Sequence, residues 1–374
     1  MNLDNKNILL TGCGGPAGVN FLKSVKDMPE TEQTRFYGSD IKLEHLYLAK
    51  TYLSKNENGD IGGFIVPRAD DPNYIPVLKN IIKEFKIDFI HPQPDFEVKY
   101  ISKHRDELGC KTFLPAKDVV AICQDKFISA KIWDKAEIPS VKPVEIELCH
   151  LNTDLEYAFR IFGNRGFWLR ATEGAGGRGS TFCLNTSVAK HWIMYWQSRG
   201  VECEWMAQEY LPGRNIAWQG IFKDGDLIVS QCRERLEYIY AYLAPSGITG
   251  TPAIACTIKG EAINLMAMKA ILAIDKKPNG IYAMDMKGNQ EGIIVPTEIN
   301  PGRFHTTSYF YAHAAKSFNL PRANMVMTYL KAAFDDPIDD GEKFDILPAD
   351  LLWLRHIDCP TVLVKGVDLY GKEN

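Results

Sequence analysis

Along the first third of the chain, apolar residues cluster in short segments, at residues 6–11, 36–40, 63–66, 87–91 and 111–114. Runs this short between turn-forming residues read as buried strands. Residues 19–26, after the first of them, have helical spacing instead, and helical segments lie between the later ones. Strand and helix in alternation predict a parallel α/β sheet. Beyond residue 115 the pattern changes. A helix is predicted over 119–133 and a strand over 166–170. Residues 216–222 and 227–236 form a hairpin around Asp224-Gly225. A helix over 261–274 follows, then two strands over 280–285 and 293–300, helical runs at 309–318 and 322–333, and a tail from Leu351 that adds strands or a cap. A chain of 374 residues exceeds one core, so several lobes are expected: 1–115; 116–335, divided near residue 210 into a smaller and a larger part; and 336–374 as an extension.

The polar positions that interrupt the apolar pattern of 280–303 matter most. Glu298 and Asn300 are two apart on a strand and share a face. If residues 287–292 close an even-numbered loop, Asp285 pairs with an even-numbered residue and joins that face. Two carboxylates and an amide oxygen suit Mg²⁺ held against a nucleotide, and Arg303 follows closely enough to meet an anion beside it. A merely polar hairpin would show the same residues.

Two glycine-rich segments are further candidates. The first, Gly174-Ala-Gly176-Gly177-Arg178-Gly179, follows the strand ending in Arg170. With so few side chains, its N–H groups can close on phosphate oxygens while Arg170 and Arg178 supply charge. It lacks the Gly-Lys-Ser/Thr ending of a P-loop. The second, Gly12 to Gly18, stands between strand and helix with Asp40 22 residues beyond it. That is also a dinucleotide fingerprint, and it makes an NAD-dependent oxidoreductase a competing reading. Gln93, Asp95 and Glu97 end a strand where open sheets place ligands, or form a solvated turn with a helix cap. Arg233 and Arg235 share a strand face, as two cations for phosphate or carboxylate or as a solvated edge. His305, Thr306 and Thr307 follow Arg303, and residues 238–251 form a substrate loop.

Composition narrows the choice. Hydrophobic residues make up 45% and charged residues 24%, as in ordinary globular proteins. A net charge of −4 offers no basic footprint for nucleic acid or membrane. The nine cysteines show no Cys-x-x-Cys spacing, which argues against a disulfide framework or zinc site and for a cytoplasmic setting. No apolar run reaches the roughly 18 residues of a membrane span.

Taken in order, these residues resemble the ATP-grasp superfamily of ATP-dependent carboxylate ligases and carbamoyl-phosphate synthetase-like proteins, whose active site closes on an Asp followed by Glu-hydrophobic-Asn-Pro-(Arg). The resemblance covers roughly Lys126 to Arg303, and 1–115 fits the Rossmann-like domain that usually precedes it. It implies an α/β and α+β fold with the nucleotide between two α+β subdomains. ATP and Mg²⁺, with Mn²⁺ as a substitute, would be the cofactors. Lys126, Arg170, Gly176, Gly177 and Gly179 would hold phosphates, and Gln208, Glu209 and Leu211 the adenine hinge. Asn215 stands near the ribose, Asp285, Glu298 and Asn300 hold metal, and Arg303 and Arg233 stabilise an acyl phosphate. Three departures are visible: Arg170-Ala171 replaces Lys-Pro, Asn215 stands where Glu is common, and Gly302 is inserted before Arg303. The activity implied is the joining of a small-molecule carboxylate to an amine or similar nucleophile, with a homodimer as the expected assembly. A non-catalytic ATP-binding regulator is the remaining alternative.

Overall fold

The computed structural model describes residues 2–367 apart from 27, 56–58, 60–61, 164, 175, 358–361 and 366. The chain opens with β1 (Asn7–Thr11), α1 (Pro16–Val25), β2 (Arg35–Asp40), α2 (Leu43–Ala49), β3 (Gly63–Ile65), α3 (Tyr74–Glu84), β4 (Phe89–His91) and α4 (Asp95–His104). Their strands form a parallel sheet in the order β3-β2-β1-β4. β1 is central and covered on both faces, hence its unbroken Ile8-Leu9-Leu10. The strand expected at 111–114 shrinks to one bridge between Lys111 and Phe89. Two of its other carbonyls are taken by side chains, Phe113 O by the Tyr329 hydroxyl (2.9 Å) and Leu114 O by Arg105.

The helix expected over 119–133 is two helices, α5 (Lys117–Gln124) and α6 (Lys126–Lys135). Asp125 breaks them apart because its carboxylate caps α6, accepting from the N–H groups of Phe127 (2.9 Å) and Ile128 (3.0 Å). Next come β5 (Val144–Ile146), α7 (Leu151–Phe162), β6 (Phe167–Ala171), β7 (Thr181–Cys183), α8 (Thr186–Ser198) and β8 (Trp205–Glu209). These four strands make a small antiparallel sheet, β5-β8-β6-β7, whose inner face packs Phe167, Leu169 and Trp205 against Leu155 of α7 and Ile193 of α8.

The rest of the chain supplies β9 (Asn215–Lys223), β10 (Asp226–Tyr238), β11 (Pro252–Ile258), α9 (Glu261–Ile274), β12 (Gly280–Gly288), β13 (Ile294–Pro301), α10 (Ser308–Phe318), α11 (Met325–Ala333), β14 (Leu351–Leu354) and β15 (Val362–Lys365). They form a seven-stranded antiparallel sheet in the order β13-β12-β9-β10-β11-β14-β15, so the tail adds strands to it. Asp224 (φ 53°) and Gly225 (φ 100°) make the left-handed turn between β9 and β10, as the Asp-Gly pair predicts.

Alternation along these strands gives the sheet two different faces. Ile216, Trp218, Tyr282, Met284 and Ile299 point one way and pack with Trp133 of α6 and Ala267 of α9. The other face is apolar at Ile221, Val229 and Ile281, where it shares a core with Tyr311 of α10, Leu330 of α11 and Phe21 of α1. Farther along the same face the residues become polar, opposite the small sheet.

Candidate active site

Strand pairing sets the polar end out in rows. Glu298 lies opposite Asp285, Asp285 opposite Ala217, and Ala217 opposite Arg233. The adjacent row on the same face reads Asn300, Ala283, Gln219, Gln231. Asp285, Glu298 and Asn300 therefore share a face, but by a route the loop did not predict. Gly288 pairs with Ile294 across an odd loop, 289–293, and that register would set Asp285 opposite Thr297. A bulge between Met286 and Asp285 shifts the pairing by one residue and puts Asp285 opposite Glu298. Pro296, which has no N–H to give a ladder, sits at this irregularity, and the Thr297 hydroxyl holds it by donating to Asp285 O (2.9 Å).

Each carboxylate has a cation against it. Arg170 of β6 donates to Glu298 across the gap between the two sheets, and Arg235 of β10 donates to Asp285. Lys126, buried at the start of α6, lies 4.0 Å from Glu298 and donates to the carbonyls of Gly174 (2.7 Å) and Thr172 (3.2 Å) at the base of the glycine loop. Burial acts to raise the Asp285 carboxyl, but Arg235, His305 and Glu298 together hold it well below the usual carboxylate range. Burial lowers Lys126, and the nearby Glu298 opposes that shift. Arg303 bridges two regions, donating to Asn300 Oδ1 and pairing with Asp95 of α4. Asp95 is thus an ion-pair partner at the first turn of α4 and makes no side-chain cap there. Two carboxylates and an amide oxygen on one rigid face are a donor set that fits Mg²⁺ or Mn²⁺.

A cleft runs from these carboxylates between the two sheets. Arg170, Gly177, Gln208, Glu209, Leu211 and Asn215 line it, so most of the residues expected around a nucleotide converge there. Burial raises the Glu209 carboxyl, and the Gln208 Oε1 is buried without a partner among the described residues. The Asn215 amide is engaged by Tyr238 (2.9 Å) and by Arg235 (3.1 Å). In the glycine loop, Gly176, Gly177 and Gly179 all take left-handed φ (68°, 71° and 75°). A Cβ on Gly177 would stand 2.8 Å from the carbonyl oxygen of Ile248, so this loop and the 239–251 connection touch over the cleft. Arg178 turns aside and lies over the Trp196 ring, 5.5 Å from its centroid.

Neither Arg233 nor Arg235 is on a solvated edge. Arg235 reaches the cleft, whereas Arg233 lies a row position beyond Ala217, fully buried and outside it. The resemblance gave Arg233 the place beside an acyl phosphate, and the structure corrects this: Arg235 is the one that lines the cleft, because the row position of Arg233 lies behind Ala217. Trp168, Tyr210 and Lys287 also line the cleft and were not singled out, since nothing distinguishes them from ordinary strand and hinge residues before the sheets face one another.

The N-terminal glycine turn has its space already taken. A Cβ on Gly12 would meet Pro94 Cγ at 2.3 Å, and one on Gly14 would meet the His45 carbonyl oxygen at 2.1 Å. Asp40 accepts from the N–H groups of Gly14 (3.2 Å) and Ile41 (2.8 Å) and contacts His45 Nδ1 at 2.8 Å. These glycines serve close chain packing, and the acid that would meet a dinucleotide ribose is tied to the turn itself.

No family model matches the sequence, and no curated protein matches it in sequence. Solved structures do match its fold. N5-carboxyaminoimidazole synthetase from Staphylococcus aureus, complexed with ADP, superposes with a TM-score of 0.69 at 13% identity, covering 98% of this chain and 85% of that one. The biotin carboxylase domain of 2-oxoglutarate carboxylase from Hydrogenobacter thermophilus, with MgADP and bicarbonate, gives 0.66 at 13% identity over 93% and 73%. L-amino acid ligase from Bacillus licheniformis gives 0.65 at 10% identity over 94% and 79%. With its paired carboxylates set between a small antiparallel sheet and a large one, behind a parallel α/β domain, the chain shares the fold of these synthetase, carboxylase and ligase structures.

Proposed function

We propose that this chain is an ADP-forming ligase that uses ATP and Mg²⁺ to convert a carboxylate to an acyl phosphate and passes the acyl group to an amine or similar nucleophile. The observation carrying this reading is the Asp285–Glu298–Asn300 face set opposite Arg170 and the glycine loop, at the end of a cleft whose far wall is the 208–211 hinge. The three structural neighbours are a synthetase complexed with ADP, a carboxylase domain with MgADP and bicarbonate, and a ligase, which supports the same class of chemistry.

Bound to Asp285, Glu298 and Asn300, Mg²⁺ would neutralise charge on the terminal phosphates. Arg170 and Arg235 now pair with the two carboxylates, and either can turn to a phosphate oxygen when the metal takes its place. Lys126 braces the base of the glycine loop, whose amides close on the phosphates. Arg303, held by Asn300 and Asp95, stands where an acyl phosphate beside the metal would carry charge. The substrate carboxylate oxygen attacks the terminal phosphorus, ADP leaves, and the nucleophile then displaces phosphate from the acyl carbon.

The test is the bond that ATP breaks. With candidate acids and amines, ADP and phosphate are expected, ¹⁸O from the acid should appear in phosphate, and hydroxylamine should trap a hydroxamate. AMP and pyrophosphate would refute the acyl phosphate.

A further inference from the structure

Next to the cleft, on the same sheet face, the protein buries a group of polar side chains with few partners. Arg233 is 1% exposed, and its Nε and Nη1 have no hydrogen-bond partner among the described residues. The Thr307 and Ser308 hydroxyls at the start of α10 and Trp353 Nε1 are also buried without a hydrogen-bond partner among the described residues, and the Tyr311 hydroxyl faces Arg233. His305 is there too, its Nε2 3.5 Å from Asp285. These groups form one neighbourhood. Trp353 lies two strands from Arg235 in its row, and Tyr311 packs edge-on against Trp353 at 4.5 Å. Arg233 interacts electrostatically with both Tyr311 and His305. The row positions between them are small, Ala217 and Ala255, which keeps the sheet low beneath these donors.

The charge is unbalanced as well. Asp285 is committed to Arg235, and Arg355, close enough to repel Arg233, donates only to the Pro252 carbonyl and to Thr306. Among the described residues, Arg233 and Arg355 therefore have no carboxylate of their own. α10 spans 11 residues, has no side-chain cap, and turns its N-terminus toward this region, adding a further preference for negative charge. Leaving a buried cation and several hydroxyls unpaired is costly, and a bound anion would satisfy them together.

We propose that Arg233, Thr307, Ser308 and Tyr311 form a subsite for a second anionic group on the acid substrate, making that substrate a dicarboxylate or an amino acid with an acidic side chain. This deepens the ligase reading and rests on it. Arg233 is two strands from Asp285, about 10 Å along the row. With the reach of a guanidinium subtracted, the two anionic groups of one small acid would span the gap. The substrate would enter from the cleft, which Arg235 and Asp285 line next to these groups.

The experiment is calorimetric titration of the full chain with acetate, butyrate, succinate, glutarate, glutamate and 3-phosphonopropionate, with and without Mg²⁺ and a non-hydrolysable ATP analogue. Dicarboxylates should bind at least tenfold tighter than monocarboxylates, and Arg233→Met should abolish that preference while nucleotide affinity stays within twofold. The phosphonate should bind more weakly than glutarate; tighter binding would change the anion to phosphate and overturn the dicarboxylate assignment. If Arg233→Met does not fold, Thr307→Val with Ser308→Ala replaces it, with a tenfold loss expected for dicarboxylates alone. Equal binding of mono- and dicarboxylates, or an unchanged preference in the variants, would show that only water fills the donors and would overturn the subsite. Failure of the nucleotide analogue to bind would instead count against the ligase reading.

Discussion

Asp285→Asn tests both the stability and the chemistry of the candidate site. The substitution keeps the volume but leaves Arg235, 7% exposed at its side chain, without its counter-charge. Removing one partner of a buried ion pair costs roughly 3–5 kcal/mol. The Asp285 side chain keeps 24% exposure, so water can relieve part of this and the low end applies, about 3 kcal/mol. At about 2.1 cal/mol/K per residue, a chain of this length unfolding as one unit would lose about 4 °C in Tm. Differential scanning calorimetry reads this directly, and Asp285→Asn combined with Arg235→Met should recover most of the loss, because no buried charge is then left alone. Turnover should stay absent in both, since a metal-facing carboxylate is worth several kcal/mol to phosphoryl transfer. An unchanged Tm in the single variant would refute the buried-pair argument. Wild-type ADP formation at limiting Mg²⁺ would show that the hairpin is structural only.

Three further outcomes are expected. Glu298→Gln should lower turnover at least about 100-fold, and because Arg170 and Lys126 are both near it, affinity for ATP without Mg²⁺ should rise; nucleotide titration with and without metal checks this. Amide hydrogen exchange at residues 176–180 and 246–250 should slow together when ATP and Mg²⁺ are added, since the two loops touch at Gly177 and Ile248, and slowing of one alone would refute the coupling. His91 is buried against Phe21 and contacts Tyr329 (3.0 Å), and burial lowers its pKa from 6.5 to about 3. Unfolded chains then take up the proton first as pH falls below 6.5, so stability is lost toward acid, by roughly 3 kcal/mol from this group between pH 7.5 and 4.5. Denaturant titrations of His91→Gln should show that much less pH dependence.

The sequence by itself determined the strands, the glycine segments and the candidate ligands, because each depends on local chemistry. Asp-Gly sets the hairpin turn, unbroken apolar runs set the central parallel strands, and Glu298 and Asn300 share a face through the two-residue repeat of a strand. Tertiary structure decided what depends on register and neighbours. The bulge beside Asp285 reverses the parity its loop would impose, and no spacing along the chain reports it. Asp125 reads as one residue of a helix until its carboxylate is seen capping the next one. Arg233 and Arg235 are equivalent in a strand pattern, and only the neighbouring strands, β9 with Ala217 opposite Arg233 and β12 beyond it with Asp285, give Arg235 a carboxylate and leave Arg233 buried without one among the described residues. The N-terminal glycines read as a dinucleotide fingerprint, and only the approach of Pro94 and His45 shows their space filled. Local chemistry fixes which groups a strand offers, but the partners that decide their charge and access come from segments up to hundreds of residues away, as Asp95 and Arg303 show.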